Sequence, residues 1–161
     1  MQEQEVYHLA AQLGMLLVKK KQLCAVAESC TGGYLSKCMT DVPGSSAWFD
    51  RGFITYSNRA KQEMLDVRLA TLEKFGAVSC EIALEMASGI FAHSQAQIGV
   101  AITGIAGPDG GSIEKPVGTV CFAWGIPSGQ YLHEMRRFSG SRADIRLQAV
   151  EYAVRRLVRL V

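Results

Sequence analysis

A short apolar run that passes directly into a polar, glycine-containing turn constrains this chain more than any other feature. The run covers residues 23–27, and the turn covers residues 28–33. Apolar side chains then recur at helical spacing through Leu35 and Met39. This order predicts a buried strand, a tight turn and a helix. Ligands of α/β proteins gather where such strands end, so the turn is a candidate binding site.

Along the rest of the chain, segments with helical spacing of apolar residues alternate with short segments typical of strands. Helices are predicted at 6–17, at 59–65 behind the N-cap signal Ser57-Asn58, after Ser79, and from Ser141, where Asp144 replaces the Glu of a capping box. Strands are predicted at 53–56 and 98–103, with an antiparallel hairpin at 119–124 and 131–138. Helices that alternate with strands, plus a hairpin, predict a single domain over residues 1–161. Its fold class is α/β, a three-layer α/β/α sandwich with a mixed sheet.

Composition excludes several functional classes. The chain has no long uncharged apolar run, and its acidic, polar N-terminus is unlike a secretory signal. We therefore expect a cytoplasmic protein with no membrane partner. Its five cysteines form no C-x-x-C pair and its three histidines are far apart, so we expect buried or half-buried thiols and no bound metal.

Arginine is concentrated near the C-terminus. Seven of the ten arginines lie between Arg136 and Arg159, although the formal net charge is only +2. Such a cluster fits an anion site, a nucleic-acid patch or the solvated face of a helix. The arginines interleave with a predicted apolar seam of the last helix, which favours the solvated face. That seam comprises Ala143, Leu147, Val150, Val154, Leu157 and Val161. No nucleic-acid partner is expected.

Two polar segments that follow strands offer a nucleophile and a base. Ser29 stands at a predicted helix start, where free N–H groups suit an oxyanion. Lys61 lies in the first turn of another predicted helix, where burial would lower its pKa enough for a base. An exposed helical lysine is the simpler interpretation of Lys61 taken alone. Cys30 is the alternative nucleophile, because a helix start would favour its thiolate.

Several motifs in order resemble one known family. They are AESCTGG at 27–33, PGSS at 43–46, YSNRAK at 56–61, GAVS at 76–79, TGIAGPDGG at 103–111, KPVGT at 115–119 and FSGSR at 138–142. Together they span almost the whole chain and resemble the CinA C-terminal-domain family, whose characterised enzymes are nicotinamide-nucleotide amidohydrolases. The resemblance implies a serine amidohydrolase that converts nicotinamide mononucleotide to nicotinate mononucleotide and ammonia, without a cofactor.

The same resemblance implies roles for individual residues. It makes Ser29 the nucleophile, Lys61 the base and Tyr56 its assistant, with Thr103 supporting the pair. Arg142 would bind the substrate, and Arg146 is the fallback. The predicted substrate-binding set is Thr31, Gly32, Gly33, Asn58, Thr103, Gly104 and Arg142. A homo-oligomer is also expected.

Three positions depart from the family pattern: Arg59, Cys80 and Ser141. None removes a proposed catalytic group. The alternative function is a catalytically weak or silent paralogue that keeps the pocket as a nucleotide-binding or regulatory module.

Overall fold

Five strands form one mixed sheet in the computed structural model, which describes residues 2–161. The strands are β1 (Cys24–Glu28), β2 (Phe49–Ile54), β3 (Ile98–Gly104), β4 (Thr119–Gly125) and β5 (Tyr131–Arg137). Their order is β2-β1-β3-β4-β5. The first three run parallel, whereas β4 is antiparallel to both β3 and β5. The predicted mixed sheet and C-terminal hairpin are therefore confirmed.

Six α-helices cover the two faces of this sheet. They are α1 (Gln2–Lys20), α2 (Tyr34–Thr40), α3 (Asn58–Leu65), α4 (Leu69–Phe75), α5 (Cys80–Ala92) and α6 (Arg142–Leu160), and a 3₁₀ turn covers Ser45–Ala47. One core layer joins α1, α2 and α6 to the sheet, and the other joins α3, α4 and α5 to it. This is the predicted three-layer α/β/α sandwich. No helix within residues 2–161 is long and apolar enough to cross a lipid bilayer.

Alternation along the central strands explains why the two core layers differ. In β4, the large side chains of Phe122 and Trp124 pack in the layer of α1 and α6. Their neighbours Cys121 and Ala123 face α5 and are small. Successive side chains of a strand point to opposite faces, so this pattern places a bulky core on one side and a closely approaching helix on the other.

Two local predictions needed correction. Strand β2 was predicted at 53–56 but covers Phe49–Ile54, and its first residues were missed because this edge strand has half-exposed side chains and no continuous apolar run. Asn58 was included in the N-cap signal, yet Ser57 alone is the N-cap, since its hydroxyl accepts the N–H of Ala60. The short helix α4 was not predicted; it buries only Thr71 and Leu72.

The buried face of α6 also differs from the predicted seam. Ala143 is exposed, whereas Ile145, Ala149 and Ala153 are buried. Helix α6 packs against both α1 and the sheet, so it buries a wider stripe than a single seam. The capping box at its start is formed as predicted, with Ser141 and Asp144 bonding to each other's backbone N–H groups.

Candidate active site

The carboxyl ends of β1 and β3, together with the segment after β2, surround a cavity of about 310 Å³. Seven of the ten predicted site residues line it: Ser29, Tyr56, Asn58, Lys61, Thr103, Gly104 and Arg142. The other three, Thr31, Gly32 and Gly33, lie outside its lining. The glycine-rich loop from Gly104 to Gly111, which follows β3, forms one wall. Parallel strands bring their carboxyl ends to one sheet edge, which explains this convergence.

Ser29 and Lys61 meet inside the cavity. The Nζ of Lys61 lies 3.0 Å from the Oγ of Ser29, a hydrogen-bond distance. Both residues are buried, with Ser29 6% and Lys61 1% exposed. The interpretation of Lys61 as an exposed helical lysine is therefore wrong. Burial lowers the pKa of Lys61 below its ordinary value of 10.5, because the charged amine loses its hydration.

Besides its contact with Ser29, the amine of Lys61 is hydrogen-bonded to two backbone carbonyl oxygens. Its Nζ lies 3.0 Å from the carbonyl oxygen of Thr55 and 3.4 Å from that of Tyr56. No carboxylate in the described chain forms an ion pair with Lys61. The amine is therefore surrounded by neutral oxygens, which do not raise its pKa as a carboxylate would.

Glu28 shapes the turn that carries Ser29. Its buried carboxylate accepts the N–H groups of Gly33, Leu35 and Ser36, and the hydroxyl of Ser36. Gly33 is the N-cap of α2 but has no side chain to satisfy these donors, so Glu28 does so from the strand. The free N–H groups predicted at this helix start are thus already occupied. Sequence reasoning missed this role of Glu28.

Two N–H groups earlier in the turn have no such partner. The backbone N–H groups of Cys30 and Thr31 donate to no backbone carbonyl within residues 2–161, whereas that of Ser29 donates to the carbonyl of Ile102. They directly follow the nucleophile candidate, and Cys30 lines the cavity. Thr31 lies outside the lining, so the N–H of Cys30 is the group that can stabilise an oxyanion in the cavity.

The thiol of Cys30 does not fit the alternative role of nucleophile. Its side chain packs into the core layer of α1 and α6, and burial raises its pKa to about 12. The prediction that its thiolate would be favoured is wrong, because the loss of hydration outweighs the nearby positive charges. Near neutral pH this residue is a protonated, buried thiol.

Arg142 crosses the rim of the cavity. Its guanidinium donates to the carbonyl oxygen of Gly107 at 2.6 Å and to the hydroxyl of Tyr56 at 3.1 Å. The Tyr56 side chain is 61% exposed, so its phenol belongs to the rim, and Tyr56 reaches Lys61 only through its backbone. Asn58 also lines the cavity and is exposed. These groups can contact the outer part of a bound molecule.

Thr103 and Arg146 are both engaged with backbone carbonyl groups. The hydroxyl of Thr103 donates to the carbonyl oxygen of Ala77, which fixes a second wall of the cavity at Ala77 and Val78. Arg146 does not line the cavity; its guanidinium donates to the carbonyl oxygen of Thr31 at 2.9 Å. Spacing alone could not separate Arg142 from Arg146, because both lie near the start of α6.

The family of this chain follows from comparison with known proteins. The sequence model of the CinA C-terminal domain family matches residues 6–161. The chain belongs to the CinA C-terminal domain family. The family predicted from its motifs is thus confirmed.

Known relatives match almost the whole length of this chain. A nicotinamide-nucleotide amidohydrolase PncC from Enterobacter agglomerans is 48% identical, over 99% of this chain and 97% of its own. A PncC of the same name from Escherichia coli strain K12 is also 48% identical, over 98% and 95%. The competence/damage inducible protein CihA from Agrobacterium tumefaciens superposes with a TM-score of 0.94 at 45% identity, over 97% of this chain and 95% of that one.

Proposed function

We propose that this CinA-family protein is a nicotinamide-nucleotide amidohydrolase that converts nicotinamide mononucleotide to nicotinate mononucleotide and ammonia. The observation that carries the proposal is the 3.0 Å contact between Ser29 Oγ and Lys61 Nζ within a cavity. A serine beside an amine of lowered pKa is a nucleophile with its own base. The names of the two PncC relatives support the amide substrate.

The neutral form of Lys61 fits its three contacts. A neutral amine has two N–H bonds and one lone pair. The carbonyl oxygens of Thr55 and Tyr56 accept the two hydrogens, which leaves the lone pair for the hydroxyl hydrogen of Ser29. Lys61 thus takes the proton of Ser29 as Oγ attacks the carboxamide carbon.

Acylation forms and breaks one bond at that carbon. Attack by Ser29 produces a tetrahedral intermediate whose oxyanion is stabilised by the N–H group of Cys30, which lines the cavity. The Lys61 ammonium then gives its proton to the amide nitrogen, which leaves as ammonia. The product of this half-reaction is an ester between Ser29 and the nicotinoyl group.

Deacylation repeats the same chemistry with water. Neutral Lys61 takes a proton from a water molecule, whose oxygen attacks the ester carbon. Collapse of the second tetrahedral intermediate returns a proton to Ser29 Oγ and releases the acid, which loses its remaining proton to solvent to become the carboxylate product. Besides water, each step uses only Ser29, Lys61 and the Cys30 N–H.

The substrate suits both ends of the cavity. Its positively charged pyridinium ring withdraws electrons from the carboxamide and activates it toward attack by Ser29. Its phosphate dianion requires N–H donors or a guanidinium, and Arg142 lies at the rim. An arginine in the lining of the same cavity as the Ser29–Lys61 pair therefore favours a nucleotide over free nicotinamide.

Ammonia release by the purified protein tests the proposal directly. Incubation with nicotinamide mononucleotide should yield equal amounts of ammonia and nicotinate mononucleotide, the latter identified by mass. The Ser29→Ala variant serves as the matched control for contaminating amidases. Binding of the nucleotide without ammonia release by the wild type would instead establish the silent binding module.

A further inference from the structure

Arg146 carries a positive charge that no carboxylate in the described chain balances. The ion pairs formed within residues 2–161 do not include it. Its Nε is buried without a hydrogen-bond partner, and its Nη2 donates to the carbonyl oxygen of Thr31. A partly buried guanidinium without a counterion is energetically unfavourable. A negative charge that forms close to it is therefore stabilised.

Hydrogen bonds connect this guanidinium to the nucleophile's turn through two peptide groups. Arg146 donates to the Thr31 carbonyl at 2.9 Å. The N–H of the same peptide group belongs to Gly32, and it donates to the carbonyl of Ser29 at 3.0 Å. The N–H of that second peptide group belongs to Cys30, and it donates to no backbone carbonyl within residues 2–161. Both peptide groups are trans, so each N–H points opposite to its own carbonyl.

A series of hydrogen bonds of this kind polarises each peptide group in it. A charged donor on the Thr31 carbonyl makes the Gly32 N–H a stronger donor, and the bond to Ser29 passes the effect to the Cys30 N–H. Gly32 permits this approach, since a side-chain Cβ at that position would lie 3.3 Å from Arg146 Nη2. The nearby charge of Arg146 also acts to lower the pKa of the Cys30 thiol, although burial outweighs it. Negative charge beside the turn is therefore favoured by Arg146.

We propose that Arg146 is a positioning residue for the oxyanion site, which strengthens the Cys30 N–H through the Thr31–Gly32 and Ser29–Cys30 peptide groups. The inference rests on the proposed function, because an oxyanion forms only if Ser29 attacks a carbonyl group. It differs from a phosphate-binding role, since Arg146 does not line the cavity. It also differs from a purely structural role, in which Arg146 would contribute to the free energy of unfolding without specifically stabilising the transition state.

Three substitutions separate charge from hydrogen bonding. Arg146→Lys keeps the charge on a single donor nitrogen, Arg146→Gln keeps a neutral N–H donor, and Arg146→Met removes both the charge and the donors. We expect kcat to fall in the order Arg, Lys, Gln, Met, with Met at least about tenfold below wild type and KM nearly unchanged. Arg159→Met, an exposed arginine on the same helix, is the matched control and should keep wild-type kinetics.

Binding of an oxyanion mimic gives a readout that a structural role would not move. The analogue of nicotinamide mononucleotide with an aldehyde in place of the carboxamide can add Ser29 Oγ and become a hemiacetal with its oxygen in the oxyanion site. Arg146→Gln should lower the affinity for the aldehyde analogue by the same factor by which it lowers kcat. Its affinity for nicotinate mononucleotide should remain that of the wild type. This comparison still decides the matter if Arg146→Met does not fold.

Distinct results overturn the two proposals. A wild-type protein that releases no ammonia overturns the proposed function. An active wild type with unchanged kcat and aldehyde affinity in Arg146→Gln and Arg146→Met overturns the role of Arg146 alone. A loss confined to KM would assign Arg146 to substrate binding instead and would equally overturn it.

Discussion

The backbone N–H of Thr55 donates a 2.7 Å hydrogen bond to the carbonyl oxygen of Glu28. Ser29 follows Glu28 directly, and the carbonyl of Thr55 accepts a hydrogen bond from Lys61. The nucleophile and the base are therefore held together through the paired ends of β1 and β2. Because a rigid sheet sets their separation, the site does not depend on a mobile loop for its central contact.

The assignment of the nucleophile predicts opposite outcomes for two adjacent residues. Ser29→Ala should lower kcat by at least about a thousandfold, because the attacking oxygen is lost, while the nucleotide still binds. Cys30→Ala should keep most of the activity, since its thiol is buried and protonated. Ammonia release and nucleotide binding by calorimetry measure both. Loss of turnover in Cys30→Ala alone, with Ser29→Ala active, would reverse the assignment.

A base of lowered pKa predicts a specific pH dependence. Burial places the pKa of Lys61 below 10.5, and only its neutral form accepts the proton of Ser29. The rate should therefore rise with pH through this pKa and then level off. Lys61→Arg should be nearly as inactive as Lys61→Met, because a guanidinium stays protonated throughout this range.

A surface lysine provides the control for that experiment. Lys37 lies on α2 and pairs with Asp41, the C-cap of that helix. Its side chain is 66% exposed, so Lys37→Arg should retain both the rate and the pH profile. Full activity in Lys61→Arg would exclude the role of Lys61 as base.

Local patterns predicted Ser29 and the position of Lys61 because both follow signals carried by neighbouring residues. The apolar run before Ser29 marks a buried strand, and Ser57 marks the start of the helix that carries Lys61. The ends of parallel strands then meet by geometry. These patterns therefore predict that both residues follow strands at one edge of the sheet, but they favoured an exposed Lys61 and did not predict its burial.

Other parts of the site depend on contacts that local patterns do not carry. A carboxylate on β1 caps α2 in place of Gly33, so the helix start that appeared open to substrate is closed by Glu28. The direction of each arginine on α6 depends on how that helix packs against α1 and the sheet. Only the tertiary arrangement separates Arg142 at the rim from Arg146 behind the turn.

The capping role of Glu28 predicts a large loss of stability in Glu28→Gln. The buried carboxylate accepts four hydrogen bonds, from three backbone N–H groups and one hydroxyl. The amide nitrogen of a glutamine cannot accept these bonds, so some of the donors would lose their acceptor. We expect the free energy of unfolding to fall by about 2–4 kcal/mol, measured by urea denaturation. Glu63→Gln removes an exposed ion pair with Arg59 and should cost less than about 1 kcal/mol. Equal effects of the two substitutions would contradict the capping role.

Arg142 predicts how the substrate's phosphate is recognised. Its guanidinium is held between Gly107 and Tyr56 at the rim, where a phosphate dianion could replace either partner. Nicotinamide mononucleotide should then be used well, and the riboside that lacks the phosphate should be used poorly. Arg142→Ala should raise KM for the nucleotide by about tenfold or more, because a charge-assisted contact is lost, and should barely change kcat/KM for the riboside.

The rim contact with Tyr56 refines this experiment. Tyr56→Phe removes the hydroxyl that accepts from Arg142 but keeps the aromatic ring and the backbone carbonyl near Lys61. The variant should therefore change KM for the nucleotide by only a few-fold and leave the pH profile of Lys61 intact. Steady-state kinetics on both substrates measure these effects. If Arg142→Ala instead impairs the nucleotide and the riboside equally, Arg142 acts at the reacting amide or on the fold, and the phosphate must be bound by other groups at the rim.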